Sequence, residues 1–154
     1  MSRWKPPQDV SPLEAAALER FRDFFSNLTA QSVEEQIETL YAQNVHFNDT
    51  LKTVRGRDRL KQYLIHSAEA VEMCRVQIVD SARASQGFYL RWCMDIRFKR
   101  FNRGQTTRSM GMSHIRFDQQ GLIEYHQDYW DSGGGFFQYL PFVGRLVRAI
   151  RKRL

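Results

Sequence analysis

Hydrophobic positions change period about halfway along the chain. Behind Ser11-Pro12-Leu13-Glu14, the residues Leu13, Ala17, Leu18, Phe21, Phe24, Phe25 and Leu28 recur three and four apart, the stripe of an amphipathic helix. Ser11 suits the N-cap, Pro12 the first turn, and Glu14 closes a capping box. Ser32-Val33-Glu34-Glu35 predicts a second box, opening a shorter helix that carries Val33, Ile37, Leu40 and Tyr41. A short strand is expected over 45–49. Gly56 separates it from a third helix with Leu60, Tyr63, Leu64 and Ala68 on one side.

From there the period is two. Phe88, Leu90, Trp92, Met94, Ile96 and Phe98 alternate with Tyr89, Arg91, Cys93, Asp95, Arg97 and Lys99, so one face is apolar and the other mostly charged, as in a half-buried antiparallel strand. Strands are expected over 75–83, 88–98, 106–117 and 122–130. Ser85-Gln86-Gly87, Asn102-Arg103-Gly104 and Asp118-Gln119-Gln120-Gly121 turn the chain between them. Gly133-Gly134-Gly135 ends the sheet. Helices followed by a run of strands predict an α+β domain with its helices on one face.

The length of 154 residues suits one domain, divided into an extended lead-in over 1–10, a folded domain over 11–135 and a basic amphipathic helix over 136–154. Aromatic residues make up 13% of the chain, enough either to fill a core or to line a concave pocket. The net charge is +6, of which Arg145, Arg148, Arg151, Lys152 and Arg153 supply five, with no acid after Asp131. The body is therefore close to neutral, against a nucleic-acid partner. Cys74 and Cys93 lack C-x-x-C spacing, which argues for a reducing compartment. With no apolar run of about 20 residues and no signal h-region, a cytoplasmic location is expected. His46, His66, His114 and His126 have no ligand spacing on one element, so no metal is expected. No nucleophile elbow is present. The glycine run lacks a phosphate loop's Lys and reads as a hinge.

The element order, the segment Arg55-Gly56-Arg57-Asp58-Arg59-Leu60 after the early strand, and the closing hairpin from His114 to Asp131 together resemble the SnoaL-like branch of the NTF2-like superfamily. The resemblance spans about residues 13–138. It implies a cone: a curved antiparallel sheet and N-terminal helices around an apolar pocket. Relatives include polyketide cyclases, ketosteroid isomerase, limonene epoxide hydrolase, scytalone dehydratase and non-catalytic proteins. The resemblance thus implies a small apolar or amphipathic ligand, with cofactor-free acid–base isomerisation, cyclisation or dehydration as the chemistry. A non-catalytic dimeric binding module is the other reading. Relatives often dimerise through the sheet, so a homodimer is expected, with Arg91, Asp95, Arg97 and Lys99 as outer-face candidates.

By position, Asp131 resembles the cyclase carboxylate and His114 its histidine. Strand alternation instead groups His126 and Asp128 with Glu124 and Trp130, and turns Asp131 the other way; a bulge near Trp130 would re-aim one acid. All four, Asp128, Asp131, His126 and His114, are catalytic candidates. Against them stands a plainer reading, in which Asp131 caps the sheet end and His126–Asp128 is a structural pair. Tyr41, Phe47, Asp49, Trp92, Met94 and Trp130 are candidate ligand contacts, or else ordinary core with Asp49 as a turn residue. In the tail, Leu146, Val147, Ile150 and Leu154 fall at helical spacing from Pro141 with arginines beside them. That pattern fits peripheral contact of residues 141–154 with an anionic membrane, or packing across the pocket mouth or a second subunit.

Overall fold

The structure, a computed structural model, describes residues 4–100, 102, 104–140 and 143–153. Arg103 of the expected hairpin loop, and Pro141, Phe142 and Leu154 of the tail, lie outside the described residues.

The first helix, α1 (Pro12–Ser26), starts as its sequence requires. Ser11 Oγ accepts from the Glu14 amide at 3.2 Å, and Glu14 Oε2 accepts from the Ser11 amide at 2.8 Å. Its stripe buries Ala17, Leu18, Phe21 and Phe24. The second helix, α2 (Ala30–Leu40), is capped one turn earlier than expected: Thr29 is the N-cap, and Ser32 is the residue that returns the bond. Two hydroxyls three apart complete a reciprocal cap, so Ser32 serves as N3 rather than as the cap. Tyr41 does not extend α2. It turns to an extended conformation (φ −111°, ψ 140°) and opens β1 (Tyr41–Asn48) with no intervening loop.

A three-residue strand that the sequence pattern does not predict, β2 (Thr53–Arg55), folds back on β1. The third helix, α3 (Arg57–Glu69), follows Gly56, whose φ of 90° only glycine adopts freely. Then come β3 (Val71–Arg83), β4 (Phe88–Phe98), β5 (Thr107–Phe117) and β6 (Ile123–Trp130). The last segment holds α4 (Ser132–Gly135), a 3-10 turn over Phe137–Tyr139, and α5 (Val143–Arg151). Among the described residues no helix is long and apolar enough to cross a membrane.

The strands form one curved sheet in the order β2-β1-β6-β5-β4-β3. The sheet is mixed rather than wholly antiparallel, because β1 lies parallel to β6. The meander β3 to β6 pairs by consecutive hairpins, which are antiparallel by construction. β1 comes from the other side of the chain and joins β6 without a hairpin. The core lies on the helix side, where Leu18, Phe21, Val33, Ile37, Leu60 and Ile115 are almost wholly inaccessible.

β6 carries a bulge, but at its start rather than near Trp130. Arg116 pairs with Tyr125 and Phe117 with Ile123, so Glu124 is the extra residue. The bulge lets Ile123 and His126 both face the core and leaves Glu124 exposed. The expected grouping of Glu124 with His126 fails for that reason. Beyond the bulge His126, Asp128 and Trp130 keep one face, as alternation predicts.

Candidate active site

A cavity of about 370 Å³ opens between the helices and the concave face of the sheet, within the range of small-molecule sites. Phe21 and Phe25 of α1, with Leu28 just after it, form one wall, and Val76, Trp92, Met94 and Ile96 of β3 and β4 another. Against this apolar lining stand a few polar groups: Asp49, Tyr63, Ser67, Ser113, His126 and Asp128, with His66 at an exposed edge.

Two chains of hydrogen bonds converge on one oxygen of Asp128. In the first, Tyr41 Oη lies 2.7 Å from His126 Nδ1, and His126 Nε2 lies 2.8 Å from Asp128 Oδ1. Tyr41 is fully buried, and burial, aided by the nearby Asp128 charge, pushes its phenol pKa well up. Tyr41 therefore keeps its proton and donates it to Nδ1. With Nδ1 accepting, Nε2 is the nitrogen that donates to the carboxylate. In the second chain, Trp92 Nε1 donates to Ser113 Oγ at 2.9 Å, and Ser113 Oγ donates to Asp128 Oδ1 at 2.5 Å. Asp128 Oδ2 has no hydrogen-bond partner among the described residues.

Local sequence explains why these groups meet. Ser113 and Asp128 are paired across β5 and β6, and His126 lies beside Phe47 of β1, whose ring stands edge-on to the imidazole at 4.9 Å. Gly111 pairs with Trp92, and a Cβ there would collide with the Trp92 ring and come within 2.7 Å of Trp130 Cβ. Only glycine lets the indole lie flat over β5 and reach Ser113.

A second polar group belongs to the turn after β1. Asp49 Oδ1 accepts from the amides of Leu51 and Lys52, while Oδ2 accepts from Tyr63 Oη at 2.5 Å. Trp130 Nε1 donates to the Asp49 carbonyl at 2.7 Å. Asp49 is thus a turn residue that also faces the cavity. Burial first, and the Asp49 carboxylate second, push the Tyr63 phenol pKa up, so Tyr63 stays protonated.

The other candidates stand elsewhere. His114 is on the opposite face of β5, with Nε2 2.7 Å from the Gln86 carbonyl and its ring stacked on Tyr89. Asp131 is exposed and caps α4, accepting from the Gly134 amide at 2.8 Å and from Arg151 at 2.8 Å. The Gly134 amide, and after it Arg151, lower its pKa below the ordinary value. Phe47, Asp49, Trp92, Met94 and Trp130 line the cavity, whereas Tyr41 lies behind His126 and does not. Ser113 and Tyr63 do not stand out in the sequence as site residues. Ser113 was findable, because it shares the face of Ile115 in a strand where Ser109, Gly111 and Ser113 are all small.

A larger, more open groove of about 510 Å³ lies between the start of α1 and the β5–β6 turn. Of its charged groups, Glu14 is bonded to Arg83, Arg116 to Gln86 and Asp118 to amides of its own turn, and the smaller, mostly apolar cavity is the better candidate site. Among the described residues no cluster of His, Cys, Asp or Glu side chains has the arrangement of a metal site.

Comparison with known proteins bears on this fold. The profile of the SnoaL-like domain matches residues 21–126. A search of curated proteins found no match. Among solved structures, a hypothetical protein with a ketosteroid isomerase-like fold from Catenulispora acidiphila DSM 44928, in complex with trimethylamine, aligns with a TM-score of 0.68 at 16% identity, covering 86% of this chain and 96% of that one. An LEH-like epoxide hydrolase from M. tuberculosis aligns at 0.64 and 14% identity, covering 89% and 96%. A candidate SnoaL-like polyketide cyclase from Jannaschia sp. CCS1 aligns at 0.63 and 12% identity, covering 81% and 92%. At these identities the likeness is one of fold.

Proposed function

The chain belongs to the SnoaL-like domain family, and from that premise we propose that it binds a small apolar or amphipathic molecule in the cavity and acts on it by acid–base chemistry, with Asp128 as the base. The observation that carries this reading is the convergence of two donor chains on Asp128 Oδ1, which leaves Oδ2 without a partner among the described residues on a side chain that lines a mostly apolar cavity. Asp49, by contrast, has both oxygens bonded within the protein. Asp128 has one oxygen fixed by Ser113 and His126, and the other is left for a ligand. Pre-organisation of this kind fits a group that takes a proton from a bound molecule. Tyr63, kept as the phenol, supplies a second polar contact when its one O–H turns from Asp49 Oδ2 to a ligand oxygen. His126 and Tyr41 act as positioning residues, fixing the carboxylate without touching the ligand.

The reaction class that suits one base, one phenol and an apolar enclosure is proton abstraction next to a carbonyl, the first step of an isomerisation, cyclisation or dehydration. Deuterium incorporation into small enolisable cyclic ketones, followed by NMR in D₂O, tests it with probes that need not be the natural substrate. The wild type accelerates exchange for ketones that bind, and Asp128→Asn does not. Equal exchange by both, or none by the wild type with ketones that bind in the cavity, would contradict the catalytic reading.

A second reading, dimerisation, is favoured by one observation on the outer face of the sheet. Asp95 is already held by Arg108 through two bonds of 2.8 Å, so this pair is satisfied within the chain. Tyr89, Met110, Met112 and Tyr129 stand exposed on the same face, an apolar patch suited to a second copy. Sedimentation velocity checks this: the wild type runs as a dimer and Met112→Glu as a monomer. A monomeric wild type would remove the proposal.

A further inference from the structure

Val143–Arg151 form a helix whose apolar side the fold does not use. α5 touches the body along one edge: Gly144 is buried with its amide 2.7 Å from the Leu140 carbonyl, Val147 lies near Gly133, and Arg151 is paired to Asp131. Val143, Leu146 and Ile150, spaced by three and four, are turned outward with fractional exposures of 45%, 62% and 52%. They rank among the most exposed large apolar side chains of the described residues. Arg145 and Arg148 lie on the rest of the helix, Lys152 and Arg153 follow it directly, and no acid follows Asp131. The stripe does not pack over the cavity, although Phe136, a few residues earlier, does line it.

We infer that α5 is a seat for an anionic lipid surface, lying in the plane of the headgroups with Val143, Leu146 and Ile150 inserted. The argument is charge and polarity complementarity. A bilayer surface offers negative charge above an apolar interior, matching aliphatics edged by arginine and lysine. At nine residues, about 14 Å long, α5 lies on a membrane and does not cross it. A nucleic acid would meet the cations but leave the three aliphatics in water. A second copy meeting α5 through α5 would bring five cations against five. Arg151 is paired with Asp131, so it lies on the edge of α5 that meets the body rather than beside the stripe. The inference stands on α5 alone and is independent of the proposed chemistry.

Vesicle flotation tests it with the full chain. Vesicles of about three parts phosphatidylcholine to one part phosphatidylserine carry the charge the account needs, and pure phosphatidylcholine vesicles do not. The wild type floats with the anionic vesicles, loses binding as salt rises well past about 0.1 M, and floats poorly with the neutral ones. Leu146→Ser with Ile150→Ser changes exposed positions only, so the melting temperature stays unchanged while anionic binding falls about tenfold or more. Lys152→Glu with Arg153→Glu weakens binding most at low salt. A wild type that ignores anionic vesicles at low salt overturns the inference. So does a double serine variant that binds as the wild type does. If that variant instead turns a dimer into a monomer, and the wild type binds no vesicles, the stripe is a seam between copies and the lipid seat is refuted.

Discussion

Asp128 and Asp131 are three residues apart in sequence, and their surroundings have little in common. Asp128 sits on the last regular stretch of β6, with a serine and a histidine donating to one oxygen and an apolar cavity before the other. Asp131 is one residue past the strand's end, exposed, and takes its bonds from the next turn and from a tail arginine. The same division separates His126, 2% exposed in the cavity lining, from His114 on the outer face of β5. Alternation along a strand makes neighbours into opposites. Where a strand ends, the side chain becomes a cap rather than a lining group. Position near the end of the last strand is therefore a weaker guide to a catalytic acid than the face on which it lies.

The sharpest break of this contrast is a pair of matched substitutions. Asp128→Asn is expected to lower any turnover by about 10²- to 10⁴-fold, while Asp131→Asn leaves turnover alone and costs less than about 1 kcal/mol, because its exposed pair with Arg151 is weak. Steady-state rates and thermal melts on both variants check this. If the two variants lose activity equally, the division fails.

The histidines give the next contrast. Tyr41→Phe leaves His126 Nδ1 buried without a donor, at about 1–3 kcal/mol, and frees the imidazole to change tautomer. Turnover should fall with KM little changed, and ¹⁵N NMR of His126 should report loss of the single Nε2–H form. His114→Ala should change neither turnover nor that spectrum.

Gly111→Ala probes the support of the carboxylate from the other side. Its Cβ meets the Trp92 ring, so overpacking of about 1–3 kcal/mol is expected, along with displacement of the indole from Ser113. Denaturant melts and the Trp fluorescence spectrum report it; a neutral, fully active variant would mean that Trp92 does not brace the site.

The smallest effect is on the rim and concerns acid. Arg83 first, together with the Ser11 amide and hydroxyl, lowers the Glu14 pKa from 4.5 to about 2. A carboxylate depressed on folding stabilises the protein at pH above its unfolded value. That contribution is lost as pH falls from about 4.5 towards 2. Glu14→Gln should flatten the acid limb of a melting-temperature profile in that window. Asp131→Asn should do so more weakly.

Much of this was legible in the sequence because period and caps are local. α1 begins where Ser11-Pro12-x-Glu14 says, and β4 has the bounds its alternation gives. The failures are where a choice was not local. Tyr41 continues an apolar helical stripe, and only its pairing with Ile123 on β6 makes it a strand residue. β2 has three residues, too few to show a period. The early start of β3 at Val71 depends on its pairing with Phe98. In the site, the shared face of His126 and Asp128 was readable from spacing. The bulge at Glu124 was not, since nothing in Leu122-Ile123-Glu124-Tyr125 marks which residue β5 will leave unpaired. Tyr63 was hidden for the same reason: its partner Asp49 is 14 residues away and meets it only through the packing of α3 on β1.

The most direct test of the central claim is a crystal structure of the protein soaked with an enolisable cyclic ketone that it binds. The account predicts the ligand inside the cavity, its acidic carbon within about 3–3.5 Å of Asp128 Oδ2 and its oxygen towards Tyr63. A ligand seated there with Asp128 untouched and its reactive end against Asp131, His114 or the outer face would contradict it.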